Sequence, residues 1–112
     1  MKIEQGEIVE VNFNLPQGYL PHPVIVLSNN DINEYEQSFI GVMLSSKDYD
    51  DEYSYFITDE MLTKKPRDKY QARCHLISFF QTKEVLSKHG KMKKEYLKKL
   101  IKHIFETTFT TD

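Results

Sequence analysis

The sequence predicts a mainly β protein in which a run of strands is followed by one C-terminal helix that covers them. Three observations support this class. Apolar and polar residues alternate near the N-terminus, two continuous apolar runs follow, and the C-terminal segment carries an apolar stripe at helical spacing. Because the strands come first and the helix last, the order favours a sheet covered by one helix over alternating βαβ units.

Hydrophobic patterning predicts five strands. Val9, Val11 and Phe13 alternate with polar residues, which is typical of a half-buried strand. The continuous apolar run of residues 24–27 indicates a central strand that is buried on both faces. The last strand is long and is predicted to bend near its middle. The predicted strands are residues 7–13, 24–27, 39–44, 53–57 and 70–80.

The segments between these strands carry loop and turn chemistry. Residues 14–23 hold three prolines and one glycine, so a loop with a restricted backbone is predicted. Residues 28–33, which are rich in Asn, Ser and Asp, predict a turn. Residues 46–52 hold four acids and one lysine, which is typical of an exposed loop. A short helical turn ended by Gly90 is predicted for residues 82–89.

The clearest helix is the last element, over residues 92–106. Leu97, Leu100, Ile101 and Ile104 fall on one face at helical spacing, while most lysines of the segment lie outside that stripe. The stripe is predicted to pack the helix onto the sheet.

Length and composition bound the class of protein. The 112 residues are 39% hydrophobic and 29% charged, so one domain, residues 1–112, is predicted, with a core that needs no disulfide or metal. The single cysteine, Cys74, excludes an internal disulfide. Because no apolar run approaches membrane-spanning length, we expect a cytoplasmic protein with no membrane partner.

The net charge of −2 conceals an asymmetry along the chain. Residues 1–62 hold 12 acids and 2 bases, whereas residues 63–112 hold 5 acids and 13 bases. The basic half favours an anionic partner such as nucleic acid, although lysines that simply solvate a surface helix explain the same pattern.

Common motifs of catalysis and metal binding are missing from the sequence. The four histidines lack the spacing of metal ligands, so neither a metal nor a cofactor is predicted. Cys74 stands next to His75, and a cysteine beside a histidine could serve as a thiolate nucleophile with its base. Neighbours in a strand point to opposite faces, however, which favours a buried structural cysteine.

An ordered set of segments resembles the MazF/PemK family of growth-inhibiting toxins. Residues 6–9 (GEIV) resemble the strand that opens these toxins, and residues 22–29 (HPVIVLSN) resemble their second strand. Residues 44–46 (LSS) and 72–75 (ARCH) resemble the end of the third strand and a later Arg-Cys-Asp-type strand. Since the helix over 92–106 matches the family's last element, the resemblance covers nearly the whole chain in order.

The resemblance implies an SH3-like barrel of the MazF/CcdB type that forms a homodimer. It implies the toxin component of a type II toxin–antitoxin system, with metal-independent, sequence-selective endoribonuclease activity on single-stranded RNA. It also implies a cognate antitoxin whose C-terminal segment covers the substrate groove.

The resemblance also assigns residues to a site. Arg73 matches a catalytic arginine, whose guanidinium suits bidentate stabilisation of phosphate. His75 falls where some members carry a catalytic Asp, and His22 falls at the strand-opening arginine. Residues two apart in a strand share a face, so Arg73 and His75 are expected to converge on one phosphate, with histidine as base or acid. The predicted substrate-binding residues are Ser45, Ser46 and Gln17.

Each assignment has a structural alternative. Arg73 could pair with one of the many acids, His75 could be an ordinary strand histidine, and Ser45 could make turn contacts at a strand end. His22 in place of arginine, and a short loop over residues 14–21, leave open a non-catalytic growth inhibitor or binding protein on the same fold, either gyrase-poison-like or a degenerate toxin. The enzyme requires that the assigned residues line one groove.

Overall fold

Six antiparallel strands form the main element of the computed structural model, which describes residues 1–16 and 18–112. The strands are β1 (Glu7–Leu15), β2 (Gly18–Val26), β3 (Ser38–Ser45), β4 (Ser54–Ile57), β5 (Tyr70–Gln81) and β6 (Val85–Lys91). Two α-helices, α1 (Asn30–Glu36) and α2 (Lys94–Thr108), complete the fold. The strand order is β4-β5-β3-β2-β1-β6. The predicted mainly β class and the C-terminal helix are therefore confirmed.

The two ends of this sheet meet beyond β4 and β6. A short 3-10 turn, Asp59–Met61, follows β4, and an isolated antiparallel bridge then joins Leu62 to Met92. The backbone N–H of Thr63 donates to the carbonyl of Lys91 at 2.8 Å on the same line. These contacts curl the sheet towards a barrel, because they connect its two outer edges.

Buried side chains fill both faces of the sheet. Leu97, Leu100 and Ile104 of α2 pack into one cluster with Ile25 and Val42. The second cluster, on the other face, includes Val24, Val26, Phe39, Phe80 and Val85. Neighbouring residues of β2 thus enter opposite clusters, which confirms the prediction of a strand buried on both faces.

The structure corrects the loop predicted over residues 14–23. β2 begins at Gly18 and pairs with β1 through the predicted loop region, with Pro21 opposite Asn12 and Pro23 opposite Glu10. β3 pairs only with residues 24–26 of β2. The proline nitrogens can therefore face a side of β2 that no other strand of the described residues occupies, where a missing N–H costs little.

A helix replaces the turn predicted over residues 28–33. α1 begins at Asn30, and the side chain of Asn29 caps it by accepting a hydrogen bond from the N–H of Ile32 at 2.9 Å. Asn and Ser serve turns and helix starts equally, because both uses rest on a side-chain oxygen that accepts from the backbone. The buried Asn33 then ties α1 to the rest of the chain.

The helical turn predicted over residues 82–89 is largely a strand. Only Thr82–Glu84 form a 3-10 turn, after which β6 pairs with the free edge of β1. The register shifts twice along this pair, and Gly90 at φ +96° lies within β6. The pairing is a long-range contact, so the local sequence gives no sign of it.

Candidate active site

One cleft brings three of the predicted site residues together. His22 of β2, Ser45 of β3 and Arg73 of β5 line it, and its volume is about 520 Å³. Lys47 and Tyr49, from the loop after β3, complete its polar wall. The three strands are neighbours in the sheet, which explains why residues far apart in the sequence share one cleft.

Arg73 is held in place by three side chains. Its Nη1 donates to Oδ1 of Asp51 at 3.0 Å, and its Nη2 donates to Oδ2 of the same carboxylate at 3.1 Å. Nη1 also donates to the hydroxyl of Ser54, the residue opposite Arg73 on β4. The guanidinium carbon lies 3.7 Å from the centre of the Tyr49 ring, a cation–π contact. The ion pair that the sequence left open as an alternative is therefore present.

Asp51 is the more accessible partner of this pair. The Asp51 side chain is 35% exposed, compared with 9% for the Arg73 side chain. The hydrogen bond from Arg73 is the main cause that lowers the pKa of Asp51, and a second hydrogen bond from the backbone N–H of Tyr53 acts in the same direction. Asp51 is therefore ionised in the folded protein at neutral pH.

His22 is half-buried at the other wall of the cleft. Its Nε2 lies 2.9 Å from the carbonyl oxygen of Leu44. A carbonyl only accepts, so Nε2 carries the hydrogen and the neutral ring keeps its lone pair on Nδ1. Burial lowers the pKa of His22 from its ordinary value of 6.5, and the hydrogen bond to Leu44 offsets this only in part. The imidazole is therefore neutral at neutral pH and suited to accept a proton.

Ser45 ends β3 beside these two residues. Its hydroxyl accepts a hydrogen bond from the backbone N–H of Lys47 at 3.2 Å. This is the turn contact that the sequence offered as the alternative for a serine at a strand end. The hydroxyl hydrogen remains able to donate into the cleft, because the Lys47 contact uses only the oxygen.

His75 does not line the cleft, and it lies where β5 bulges as it passes β3. Val42 pairs with Ile77 and Leu44 pairs with Ala72, so a step of two residues on β3 faces a step of five on β5. Strict alternation is lost in the bulge, where Cys74 is buried like Arg73 and Leu76 is exposed like His75. A bulge therefore lies where the sequence predicted a bend, and His75 does not share the cleft that Arg73 lines, so their joint contact with one phosphate stays a prediction.

The His75 ring instead packs against Tyr53, with ring centroids 5.1 Å apart. The ring is also near enough to Asp51 to act electrostatically on that carboxyl, in the direction that lowers its pKa. Ser46 lines a neighbouring cleft of about 510 Å³ with Asp48, Phe56 and Gln71. Gln17, the remaining predicted residue, lies outside the described residues.

Cys74 is fully buried, and burial raises the pKa of its thiol to about 11. The prediction of a structural cysteine is confirmed, because a nucleophile has to be a thiolate that substrate can reach. Within residues 1–16 and 18–112, no group of three or more His, Cys, Asp or Glu side chains is arranged to hold a metal ion. No helix in this part of the chain is long and apolar enough to cross a membrane.

Sequence reasoning missed the residues that surround Arg73. Tyr49 and Asp51 belong to the acidic segment 46–52, which holds four acids with no feature that distinguishes them. The sequence therefore does not identify which acid pairs with Arg73. Ser54 could have been found only from the register of β4 with β5, since the two residues are direct cross-strand partners.

Comparisons with known proteins agree with the fold. A family model described as PemK-like, MazF-like toxin of type II toxin-antitoxin system matches residues 4–107. No curated protein sequence matches significantly. A MazE–MazF crystal structure from Deinococcus radiodurans is similar at TM-score 0.77 and 11% identity, covering 95% of this chain and 95% of that chain.

Two mycobacterial structures are similar as well. An endoribonuclease in complex with its cognate antitoxin gives a TM-score of 0.76 at 15% identity, over 93% of this chain and 92% of that chain. The Mycobacterium tuberculosis toxin MazF-mt6 gives 0.72 at 9% identity, over 89% and 93%. These likenesses confirm the predicted fold of the MazF type. Because the family model matches nearly the whole chain, the protein belongs to the PemK-like, MazF-like toxins of type II toxin–antitoxin systems.

Proposed function

We propose that this protein is an endoribonuclease toxin that cleaves single-stranded RNA sequence-selectively and without a metal. The observation that carries the proposal is a fixed guanidinium and a neutral imidazole in one cleft, on Arg73 and His22. Metal-free cleavage needs a base for the 2′-hydroxyl and a cation for the charge that develops on phosphate. Membership of the toxin family supports the same activity.

His22 is the proposed general base. Its Nδ1 takes the proton of the 2′-hydroxyl as that oxygen attacks phosphorus. The bond from phosphorus to the 2′-oxygen forms while the bond to the 5′-oxygen breaks. The leaving 5′-oxygen takes a proton from water, so the products are a 2′,3′-cyclic phosphate and a 5′-hydroxyl end.

Arg73 is proposed to stabilise the phosphorane. Its contacts with Asp51 and Ser54 use both hydrogens of Nη1 and one of Nη2. The Nε–H and the second Nη2 hydrogen make none of these contacts, and in a planar guanidinium they point the same way. This second fork can take two phosphate oxygens. The Ser45 hydroxyl is proposed to hold the same phosphate from the end of β3.

A cognate antitoxin is the proposed protein partner, since similar structures include a toxin with its antitoxin. A second copy of this chain is proposed on another face. An apolar cleft of about 300 Å³ lies between α2 and β3, where Phe105 and Phe109 are 61% and 57% exposed. Ile40, 42% exposed, lines the same cleft. Exposed apolar surface of this kind is typical of protein interfaces.

One observation favours a second candidate function. The Arg73–Asp51 ion pair offsets the positive charge that phosphate binding uses. A non-catalytic growth inhibitor or binding protein on the same fold would keep such a pair without cost to its function.

Cleavage of a defined single-stranded RNA in the presence of a chelator tests the proposal. We expect discrete fragments with cyclic-phosphate ends, and no cleavage where a single 2′-deoxy nucleotide replaces the one at the cleaved bond. Intact RNA at high protein concentration would favour the binding protein. Cleavage that stops on addition of chelator would contradict metal independence.

A further inference from the structure

Asp51 lies at the centre of a small cluster that fixes the guanidinium of Arg73. Its Oδ1 accepts from Arg73 Nη1 at 3.0 Å and from the backbone N–H of Tyr53 at 3.0 Å. The second contact joins residues that are two apart in the chain and forms a local turn. This turn holds the carboxylate independently of Arg73. The cluster therefore has an anchored acceptor for a side chain that is otherwise long and flexible.

The other contacts remove the remaining freedom of Arg73. Tyr49 covers one face of the guanidinium at 3.7 Å, and Ser54 takes a hydrogen from Nη1 in the plane. A two-point pair fixes rotation in the plane, and the stacked ring fixes the plane itself. The side chain is left 9% exposed, and its pair with Asp51 uses Nη1 and Nη2 but not Nε.

We propose that Asp51 is a positioning residue for RNA cleavage: it holds one fork of the Arg73 guanidinium so that the second fork meets the scissile phosphate. The inference rests on the proposed function, because it names the group that prepares Arg73 for that reaction. Asp51 does not touch the substrate. Its contribution is to remove side-chain motion from Arg73 before phosphate binds, which is the usual benefit of preorganisation.

Asp51→Ala tests the inference against a matched control. We expect cleavage to fall by roughly 10- to 100-fold, since a small misplacement of a stabilising group costs about this much. Asp51→Asn keeps one acceptor oxygen and is expected to lie between Asp51→Ala and the wild type. Asp50→Ala alters the next exposed acid of the same loop and is expected to cleave normally. Unchanged or faster cleavage by Asp51→Ala would overturn the inference, and faster cleavage would mean that Asp51 competes with phosphate.

A second measurement keeps the inference separate from the proposed activity. The sequence has two arginines, Arg67 and Arg73, so nitrogen-15 NMR can follow the Nη hydrogens of each. Asp51 accepts from both Nη atoms of Arg73, so we expect separate, sharp Arg73 Nη–H signals that broaden and merge in Asp51→Ala, while the exposed Arg67 serves as an internal reference. Arg73 Nη–H signals that are equally sharp and separate in both proteins would refute positioning by Asp51. Absence of RNA cleavage by the wild type would instead refute the proposed function.

Discussion

His22 points its Nε2–H at the carbonyl oxygen of Leu44, 2.9 Å away, and so keeps Nδ1 as the free acceptor of its ring. The two residues lie on neighbouring strands, β2 and β3, and Leu44 is fully buried. The hydrogen bond therefore fixes both the tautomer and the orientation of the imidazole. The direction of the His22 pKa shift therefore predicts how the rate of cleavage depends on pH.

The pH dependence of cleavage follows from that shift. Burial lowers the pKa of His22 below 6.5, so the neutral ring that accepts a proton persists below that pH. We expect the rate to fall at acidic pH along a limb whose midpoint lies below 6.5. His22→Gln is expected to lose this limb together with most of the rate. Initial rates across the pH range check this, and a midpoint above 6.5 would contradict the assignment of His22.

Cys74 is predicted to be inert in the folded protein. Its thiol is buried with a pKa raised to about 11, so a thiol reagent should label it slowly until denaturant is added. Cys74→Ala should retain cleavage and lose about 1 kcal/mol of unfolding free energy, because a small buried group is removed. Loss of cleavage by a folded Cys74→Ala protein would instead support the hypothesis that Cys74 acts as a thiolate nucleophile.

Asn33 is predicted to stabilise the fold through buried hydrogen bonds. Its Nδ2 donates to the carbonyl of Ser28 at 3.0 Å and to that of Ile3 at 3.3 Å. Asn33→Ala leaves both carbonyls without this donor, and we expect unfolding free energy to fall by about 1–3 kcal/mol. Glu34→Ala, at an exposed position of the same helix, is the control and should change stability little. Urea unfolding compares the variants, and equal stability of the two would rule out this role for Asn33.

The apolar face beside α2 is predicted to join two copies of the chain. Phe105→Asp places a charge on this face and should convert a dimer to monomers without unfolding the protein. Leu86→Asp makes the same change at an exposed leucine of β6 and should leave the dimer intact. Light scattering over a range of protein concentrations measures the mass of each variant and so tests both expectations. A wild-type mass of one chain at all concentrations would contradict the proposed homodimer.

Local patterns predicted the elements whose burial repeats along the chain. β1 shows alternation and α2 shows helical spacing because one face of each is buried, whereas the core of β2 is a continuous apolar run because both of its faces enter the clusters of buried side chains. β6 and the first half of β2 depend instead on pairing with β1, which no local pattern encodes. α1 was missed because Asn29 caps a helix with the same side-chain oxygen that would form a turn.

The candidate site likewise contains residues that the sequence predicted and residues that depend on contacts distant in the chain. Residue types and positions in the sequence pointed to Arg73, His22 and Ser45 as candidates, and the structure places all three in one cleft. His75 was expected to converge with Arg73 on one phosphate, but it packs against Tyr53 and does not line the cleft, next to a bulge in β5 that depends on the register with β3. Asp51 could not be distinguished from its acidic neighbours, since only the folded loop brings one of them to Arg73.

The most direct test compares RNA cleavage by the wild type, Arg73→Ala, Arg73→Lys and Arg67→Ala, each first shown to be folded. Arg67 is exposed and outside the cleft, so its variant controls for loss of an arginine charge. We expect Arg67→Ala to cleave normally, Arg73→Ala to lose cleavage, and Arg73→Lys to recover little, because an ammonium lacks the fork. Full cleavage by Arg73→Ala would contradict the assignment of this cleft as the active site.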